Sequence, residues 1–149
     1  MVKYHQGQYF PINKGKYIGN VNHIYYRSGL ELKLFKWCDT NPDILNWNSE
    51  EIVIPYENPF DGKTHRYYMD VIIKYLDKDG NQQVALIEVK PYDQCIPPVQ
   101  PKSRISKSYK YKVKMYMINQ CKWQAAEEFA KKHNMKFFIL TEKQIDALR

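Results

Sequence analysis

The pattern of apolar and polar positions predicts a helix near the start of the chain, over residues 28–40. Ser28 stands at the N-cap position, and Glu31 follows three residues later, at the spacing of a capping box. Pro42 disfavours helical geometry at the residue before it, so the helix is expected to end near residue 40. Apolar residues recur in this segment at helical spacing, at Leu30, Leu34, Trp37 and Cys38.

Three strands are predicted to follow this helix. They are rich in β-branched and aromatic residues and cover 50–56, 65–76 and 83–90. Asp61–Gly62 marks the first connection, and the turn residues Gly80 and Asn81 predict a hairpin between the second and third strands. Pro91 ends the third strand.

The sequence signals for secondary structure are less clear in the C-terminal part of the chain. The proline-rich segment 91–103 is expected to lack regular structure. Segment 104–120 contains the alternation YKYKVKM, which is typical of a strand, but it also carries a helical stripe that continues through 123–130. We therefore predict helix there, then a short buried strand over 136–140, and a closing helix capped by Thr141.

The order of these elements predicts an α/β fold: a central mixed sheet flanked by helices, with a right-handed helical crossover to the last strand. A chain of 149 residues is expected to form one domain, 1–149, in which 1–22 is an irregular N-terminal arm. Three widely spaced cysteines predict neither a disulfide framework nor a zinc site. No apolar run has the length of a signal peptide core or a membrane span, so we expect a soluble intracellular protein.

The positive charge of the chain is concentrated in one segment. The net charge is +7, and residues 102–136 hold ten Lys or Arg against two acidic residues. Tyr109, Tyr111 and Tyr116 are interleaved there. A localised basic surface with aromatic groups is what a protein that binds polyanions needs. A solvated, lysine-rich helix face explains the charge equally well.

Two acids and a lysine inside the predicted strands are the candidate catalytic residues. Glu88 and Lys90 share one strand face, and Asp70 lies on the neighbouring hairpin strand. Adjacent carboxylates repel, and a cation between them removes that penalty; hard oxygen ligands favour Mg²⁺ or Mn²⁺. The carbonyl of Val89 is a further candidate ligand, Glu31 a further acid, and Lys90 suits a metal-bound water or a pentavalent phosphorus. This constellation is typical of phosphodiester hydrolysis.

Each of these residues also has a purely structural explanation. The capping box alone accounts for Glu31. Asp70 and Lys90 could form a buried ion pair, because buried charges are usually paired, and Glu88 could complete it.

At these residues the chain resembles the PD-(D/E)XK nuclease superfamily, whose αβββαβ core has the same order of elements. More narrowly, YRSGLELKLFKWCDTNPDI, DGKTHRYYMDVIIKY, LIEVKP and NQCKWQAAEEFAKKH are similar in order and spacing to the tailed-phage head-completion nucleases, which are TnsA-like in their catalytic half. The resemblance spans roughly residues 8–148. One departure is Met69, where the family often has proline before the motif aspartate.

The resemblance implies a Mg²⁺- or Mn²⁺-dependent DNA nuclease, endo- or exonucleolytic, that processes packaged DNA before heads and tails join. Its partners would be double-stranded DNA and phage head or portal proteins, in the host cytoplasm or on the virion, with no membrane and no small-molecule cofactor. Asp70 and Glu88 become metal ligands, Lys90 the catalytic lysine and Glu31 the helical acid. On the helix after the motif, the residues that would contact the metal-bound water or the phosphate of DNA are Asn119, Gln120 and Lys122.

Further DNA-binding candidates come from the residues themselves. Arg27 and Arg66 flank motif residues, and guanidinium groups match phosphate geometry, although a surface ion pair explains each equally well. The lysines of the basic segment, Lys110, Lys112 and Lys114, are expected to follow the DNA backbone.

Two other functions stay open. One is a non-catalytic structural protein that binds DNA or the portal through its basic helices. The other is a junction-resolving, repair or restriction nuclease of the same fold.

Overall fold

The computed structural model of the chain describes residues 6–148, so residues 1–5 of the predicted arm lie outside the described residues. The helices of this part of the chain are α1 (Gly29–Thr40), α2 (Lys107–Lys132) and α3 (Glu142–Ile145). The strands are β1 (Gly7–Gln8), β2 (Tyr25–Tyr26), β3 (Ile44–Ser49), β4 (Val53–Glu57), β5 (Thr64–Tyr68), β6 (Val71–Leu76), β7 (Gln82–Val89) and β8 (Lys136–Leu140).

The main sheet has the strand order β3-β6-β7-β8. The first three strands pair antiparallel, and β8 pairs parallel with β7 after the crossover through α2. Strands β4 and β5 form a separate hairpin, and β1 pairs with β2. The predicted α/β fold, a mixed sheet flanked by helices, is confirmed.

The strand predictions need three corrections. Strand β3 was missed, because its sequence ILNWNS contains two asparagines, which are poor strand formers. The predicted strand 50–56 belongs to the β4–β5 hairpin instead of the main sheet. The predicted strand 65–76 is two strands, because the main-chain N–H of Met69 pairs back to Ile52 and the chain turns into β6 after Asp70.

The helix predictions hold with small differences. Ser28 caps α1 by accepting the main-chain N–H of Glu31 at 3.1 Å. Segment 104–120 lies mostly in the single helix α2, and Thr141 caps α3 in a capping box. The proline-rich segment contains one short 3-10 turn, Tyr92–Gln94. Strand β8 is only half-buried, because it is an edge strand and Phe138 is 42% exposed.

The two faces of the sheet are buried by different parts of the chain. Ala85, Ile87 and Val89 of β7 face a core built with α1, α3 and the arm. Leu86 faces a second core, built with α2 and the β4–β5 hairpin. Because side chains alternate along a strand, Glu88 points to the same side as Leu86. The hairpin and α2 therefore lie on the side of the sheet to which Glu88, a candidate catalytic residue, points.

The N-terminal arm is more ordered than predicted. It contains β1 and a 3-10 turn at Lys14–Lys16, and Tyr9 and Tyr17 are buried against Trp47. The arm is held by Asp39, whose carboxylate accepts the hydroxyl of Tyr9 at 2.6 Å. Among residues 6–148, no helix is long and apolar enough to cross a membrane.

Candidate active site

The ends of two neighbouring strands bring Asp70, Glu88 and Lys90 together. Asp70 precedes β6, and its Oδ2 accepts the main-chain N–H of Val89 at 2.7 Å. Nζ of Lys90 lies 3.3 Å from Oε1 of Glu88. The register that pairs Val71 with Ile87 places these groups side by side. The observed ion pair thus joins Lys90 to Glu88, whereas the structural alternative was a pair between Lys90 and Asp70.

The carboxylates of Asp70 and Glu88 repel each other. Burial raises the pKa of Asp70 well above its usual range, and the negative charge of Glu88 raises it further. The N–H of Val89 and the charge of Lys90 oppose this shift. A site that destabilises an ionised carboxylate in this way is suited to a cation, because a positive charge would relieve both the desolvation and the repulsion.

Glu88 is fixed from the hairpin side by a residue that the sequence did not indicate. The buried hydroxyl of Tyr67, on β5, donates a hydrogen bond to Oε2 of Glu88. Burial and the charge of Glu88 both raise the pKa of Tyr67, so its phenol stays protonated and keeps donating. Tyr67 lies 21 positions before Glu88, in the segment 65–76 that was predicted as one continuous strand. A polar hydroxyl at a buried strand position is the only sequence feature that could have indicated this contact.

Helix α2 adds a second lysine to this cluster. Lys122 is half-buried, with Nζ 5.5 Å from the ring centre of Tyr67 and 5.6 Å from that of Tyr56. Burial lowers the pKa of Lys122, and the charge of Lys90 lowers it further, while Glu88 and Asp70 raise it. The predicted phosphate-contacting residue Lys122 therefore lies within electrostatic range of all three central residues.

Glu31 approaches the cluster from α1. Its carboxylate accepts the main-chain N–H of Arg27 at 3.0 Å. Burial raises its pKa, as do the charges of Glu50 and Glu88, against the opposing N–H and charge of Arg27. Glu31 thus has a capping function at the helix start and still senses the charge of Glu88.

Two comparisons with known proteins decide the family. Residues 41–142 match the family model described as TnsA-like endonuclease N terminal. The chain is also 39% identical over 147 residues to the head completion nuclease of Enterobacteria phage T4, which covers 97% of this chain and 95% of that protein. The chain belongs to the head-completion nuclease family. The PD-(D/E)XK fold and the TnsA-like core suggested by its motifs agree with this assignment.

The donor set of this head-completion nuclease family member suits a hard divalent cation. Among residues 6–148, no group of three or more His, Cys, Asp or Glu side chains is arranged to hold a metal ion. The adjacent carboxylates of Asp70 and Glu88 still provide hard oxygen ligands. Mg²⁺ commonly binds through one or two carboxylates, with water and substrate phosphate completing its shell. The residues present therefore fit such an ion.

The predicted DNA-contacting residues fall into three groups. Asn119 is buried and lines a groove together with Lys90, whereas Gln120 lines another pocket with Trp123 and Thr141. Arg27 forms an ion pair with Glu50 at 3.0 Å. The remaining candidates lie on exposed faces of β5 and α2, at Arg66, Lys110, Lys112 and Lys114.

The exposed candidates differ in their surroundings. Alternation along β5 places Arg66 on the face of the hairpin opposite to Tyr67, beside Pro55. Nζ of Lys114 lies 5.5 Å from the ring centre of Phe60, in the β4–β5 connection. Lys112 lines the groove that also contains Lys90.

Proposed function

We propose that this protein is a Mg²⁺- or Mn²⁺-dependent deoxyribonuclease that hydrolyses phosphodiester bonds of packaged DNA before phage heads and tails join. The observation that carries the proposal is the adjacent pair Asp70 and Glu88 beside Lys90, with the pKa of Asp70 raised by burial and by its neighbour. An enzyme that needs a cation at this point gains a function from an arrangement that otherwise costs stability.

The roles of the residues follow from their chemistry. Asp70 and Glu88 would hold the metal, with the carbonyl of Val89 and the acid Glu31 as further ligands. The bound ion would supply Lewis-acid polarisation and lower the pKa of water. Lys90 would orient the attacking water and neutralise charge that develops on the phosphoryl oxygens.

The remaining contacts would position the substrate. Lys122 stands beside the central residues and would bind the scissile phosphate, with Asn119 next to it on the same helix. Gln120, Arg27, Arg66, Lys110, Lys112 and Lys114 would contact the rest of the DNA backbone. Because such contacts are electrostatic and read no base sequence, binding should weaken steeply with salt.

The name of the relative, head completion nuclease, supports the proposed setting. The whole chain, 1–149, would act as one nuclease domain on double-stranded DNA, in contact with phage head, portal or connector proteins. It would work in the host cytoplasm during assembly, with virion association as a further setting. A junction-resolving or repair nuclease would use the same residues on another substrate.

A non-catalytic DNA-binding protein is the second candidate. The observation that favours it is the ion pair between Lys90 and Glu88, at 3.3 Å, which neutralises the buried acid without a metal. This function needs the basic residues and the pair but no cation.

Cleavage assays separate the two functions. Purified protein is incubated with linear and circular double-stranded DNA in Mg²⁺, Mn²⁺ or EDTA, beside Glu88→Ala and Lys90→Ala. The matched controls are Asp79→Ala and Lys78→Ala, an exposed acid and an exposed lysine in the β6–β7 turn, at the other end of β7. We expect metal-dependent cleavage that both active-site variants lose and both controls retain. Intact DNA binding without cleavage under either metal would instead establish the structural function.

A further inference from the structure

A groove of about 750 Å³ runs between the proline-rich segment after β7 and the N-terminal half of α2. Lys90 and Asn119 are among the residues that line it. Since Lys90 also pairs with Glu88, the groove opens directly onto the candidate active site. We call it the loop–helix groove. A ligand that lies in it reaches Lys90, which belongs to the candidate active site.

The two walls of the loop–helix groove differ in chemistry. The loop wall is apolar, with Ile96, Pro98 and Val99, and Val99 is 87% exposed. The helix wall carries tyrosines at helical spacing with a lysine between them: Tyr109, Lys112 and Tyr116. Tyr111, 64% exposed, adds a third aromatic side chain.

The charge around the groove is mostly positive. Asp93 is an acidic residue of its lining, but residues 94–126 contain no Asp or Glu. The same stretch contains seven basic residues: Lys102, Arg104, Lys107, Lys110, Lys112, Lys114 and Lys122. A cleft lined by aromatic rings and flanked by an excess of basic residues concentrates flexible polyanions.

We propose that the loop–helix groove binds an unpaired strand of DNA and leads it to the active site. Stacking on tyrosine requires free base faces, which a single strand offers and a double helix keeps covered. The volume of the groove lies within the range of about 300–1,000 Å³ that takes small organic ligands, so it suits a few nucleotides and is too small to enclose a duplex. The inference rests on the proposed nuclease function for what happens to that strand, but strand binding itself is independent of cleavage.

The first test is equilibrium binding in EDTA, where no cleavage occurs. A short fluorescent oligothymidylate is compared with a duplex of the same length, using fluorescence anisotropy. Because each base stacked on an aromatic ring contributes to affinity, Tyr111→Ala and Tyr109→Ala should each weaken single-strand binding on the order of tenfold. Duplex binding should change less than about twofold. Tyr25→Ala removes an exposed tyrosine side chain from β2, outside the groove, and should change neither affinity.

A salt titration sharpens the same test. Lys112→Gln should lower the dependence of single-strand affinity on log salt by about 0.7, the slope lost with one phosphate contact to a single strand.

A second measurement locates the strand directly. An oligonucleotide with 5-iodouracil, irradiated in the complex, should cross-link to Tyr109, Tyr111 or Tyr116.

The outcomes separate this inference from the proposed function. Unchanged single-strand affinity in both tyrosine variants, or cross-links only outside the groove, would overturn the inference and leave a peptide of a head protein as the occupant to test. Metal-dependent cleavage of duplex DNA would then still support the nuclease. Conversely, a protein that binds single strands through these tyrosines but cuts no DNA in either metal retains the groove site and loses the nuclease function.

Discussion

Two carboxylates of this fold have opposite surroundings. Asp39, 0% exposed on α1, accepts the hydroxyl of Tyr9 at 2.6 Å and the main-chain N–H groups of Ile12 and Asn13 at 2.7 and 2.9 Å. Asp70 accepts the N–H of Val89 but lies beside Glu88, whose charge joins burial in raising its pKa.

The difference distinguishes an acid that anchors a neighbouring segment of the chain, as Asp39 does, from an acid of a functional site, such as Asp70. An ionised acid surrounded by donors is stabilised by them, and around Asp39 those donors belong to the arm that it holds. An acid placed next to another acid destabilises the fold until a positive charge binds. Stability should therefore depend on Asp39, and cleavage on Asp70.

The largest expected effect is the loss of cleavage in Asp70→Asn. The amide oxygen can still accept the N–H of Val89, but the negative charge is lost, so we expect cleavage to fall on the order of 10³-fold. In EDTA the variant should unfold at a higher temperature than the wild type, because burial no longer penalises a charge at this position. Cleavage rates and thermal unfolding measure the two effects. A lower unfolding temperature would show that Asp70 is an anchor like Asp39.

Asp39→Ala is expected to have the next largest effect, on stability. The substitution leaves the donors of Tyr9, Ile12 and Asn13 without their acceptor, at a cost of about 3 kcal/mol or more. At 2–4 °C per kcal/mol for a chain of this size, the melting temperature should fall by roughly 10 °C. Urea unfolding measures the loss in the free energy of unfolding. The control is Asp43→Ala, at an exposed acid beyond the same helix. The cleavage rate of the folded fraction should be retained.

Tyr67→Phe tests the connection between the hairpin and the site. Loss of the hydroxyl that fixes Glu88 should raise the Mn²⁺ concentration for half-maximal cleavage about 10–100-fold, as for other partners of metal-binding carboxylates. Tyr56→Phe removes a hydroxyl from the same face of the hairpin, and both rings contact Lys122. If both variants shift the metal requirement equally, the position of Lys122 would explain the effect, and the hydrogen bond to Glu88 would not.

The pH dependence of stability gives the smallest expected effect. An acid whose pKa is raised in the folded state contributes stability below its unfolded pKa, about 4, and this is lost as pH rises through the folded value. Asp70 is such an acid. In EDTA, the advantage of Asp70→Asn over the wild type should therefore be near zero at pH 4 and grow by several degrees towards neutral pH. An advantage that shrank as pH rose would contradict the raised pKa.

The sequence predicts the fold where local signals agree with the tertiary structure. The cap at Ser28, the continuous apolar run of β7 and the cap at Thr141 each carry their own physical signature, and the corresponding elements are present. Strand β3 carries no such signature, because its asparagines are poor strand formers that lie in a strand through pairing with β6. The break after Tyr68 is equally hidden, since apolar residues continue on both sides of it.

The site was predictable to the extent that its residues share a strand or a hairpin. Glu88 and Lys90 share a face of one strand end, and hairpin pairing brings Asp70 next to them. Tyr67 was not predictable, because its contact with Glu88 depends on how the separate β4–β5 hairpin folds over the sheet. Local spacing carries no information about that packing.

The arm that Asp39 holds also covers one edge of the main sheet. Tyr17 forms a parallel bridge with Trp47 of β3, and the N–H of Ile18 donates to the carbonyl of Trp47 at 2.9 Å. An open edge strand presents unpaired backbone groups on which a strand of another molecule can dock. By pairing with Trp47, the arm closes this part of the β3 edge to a strand of another molecule. The buried acid on α1 thereby helps to shield a sheet edge as well as to stabilise the fold.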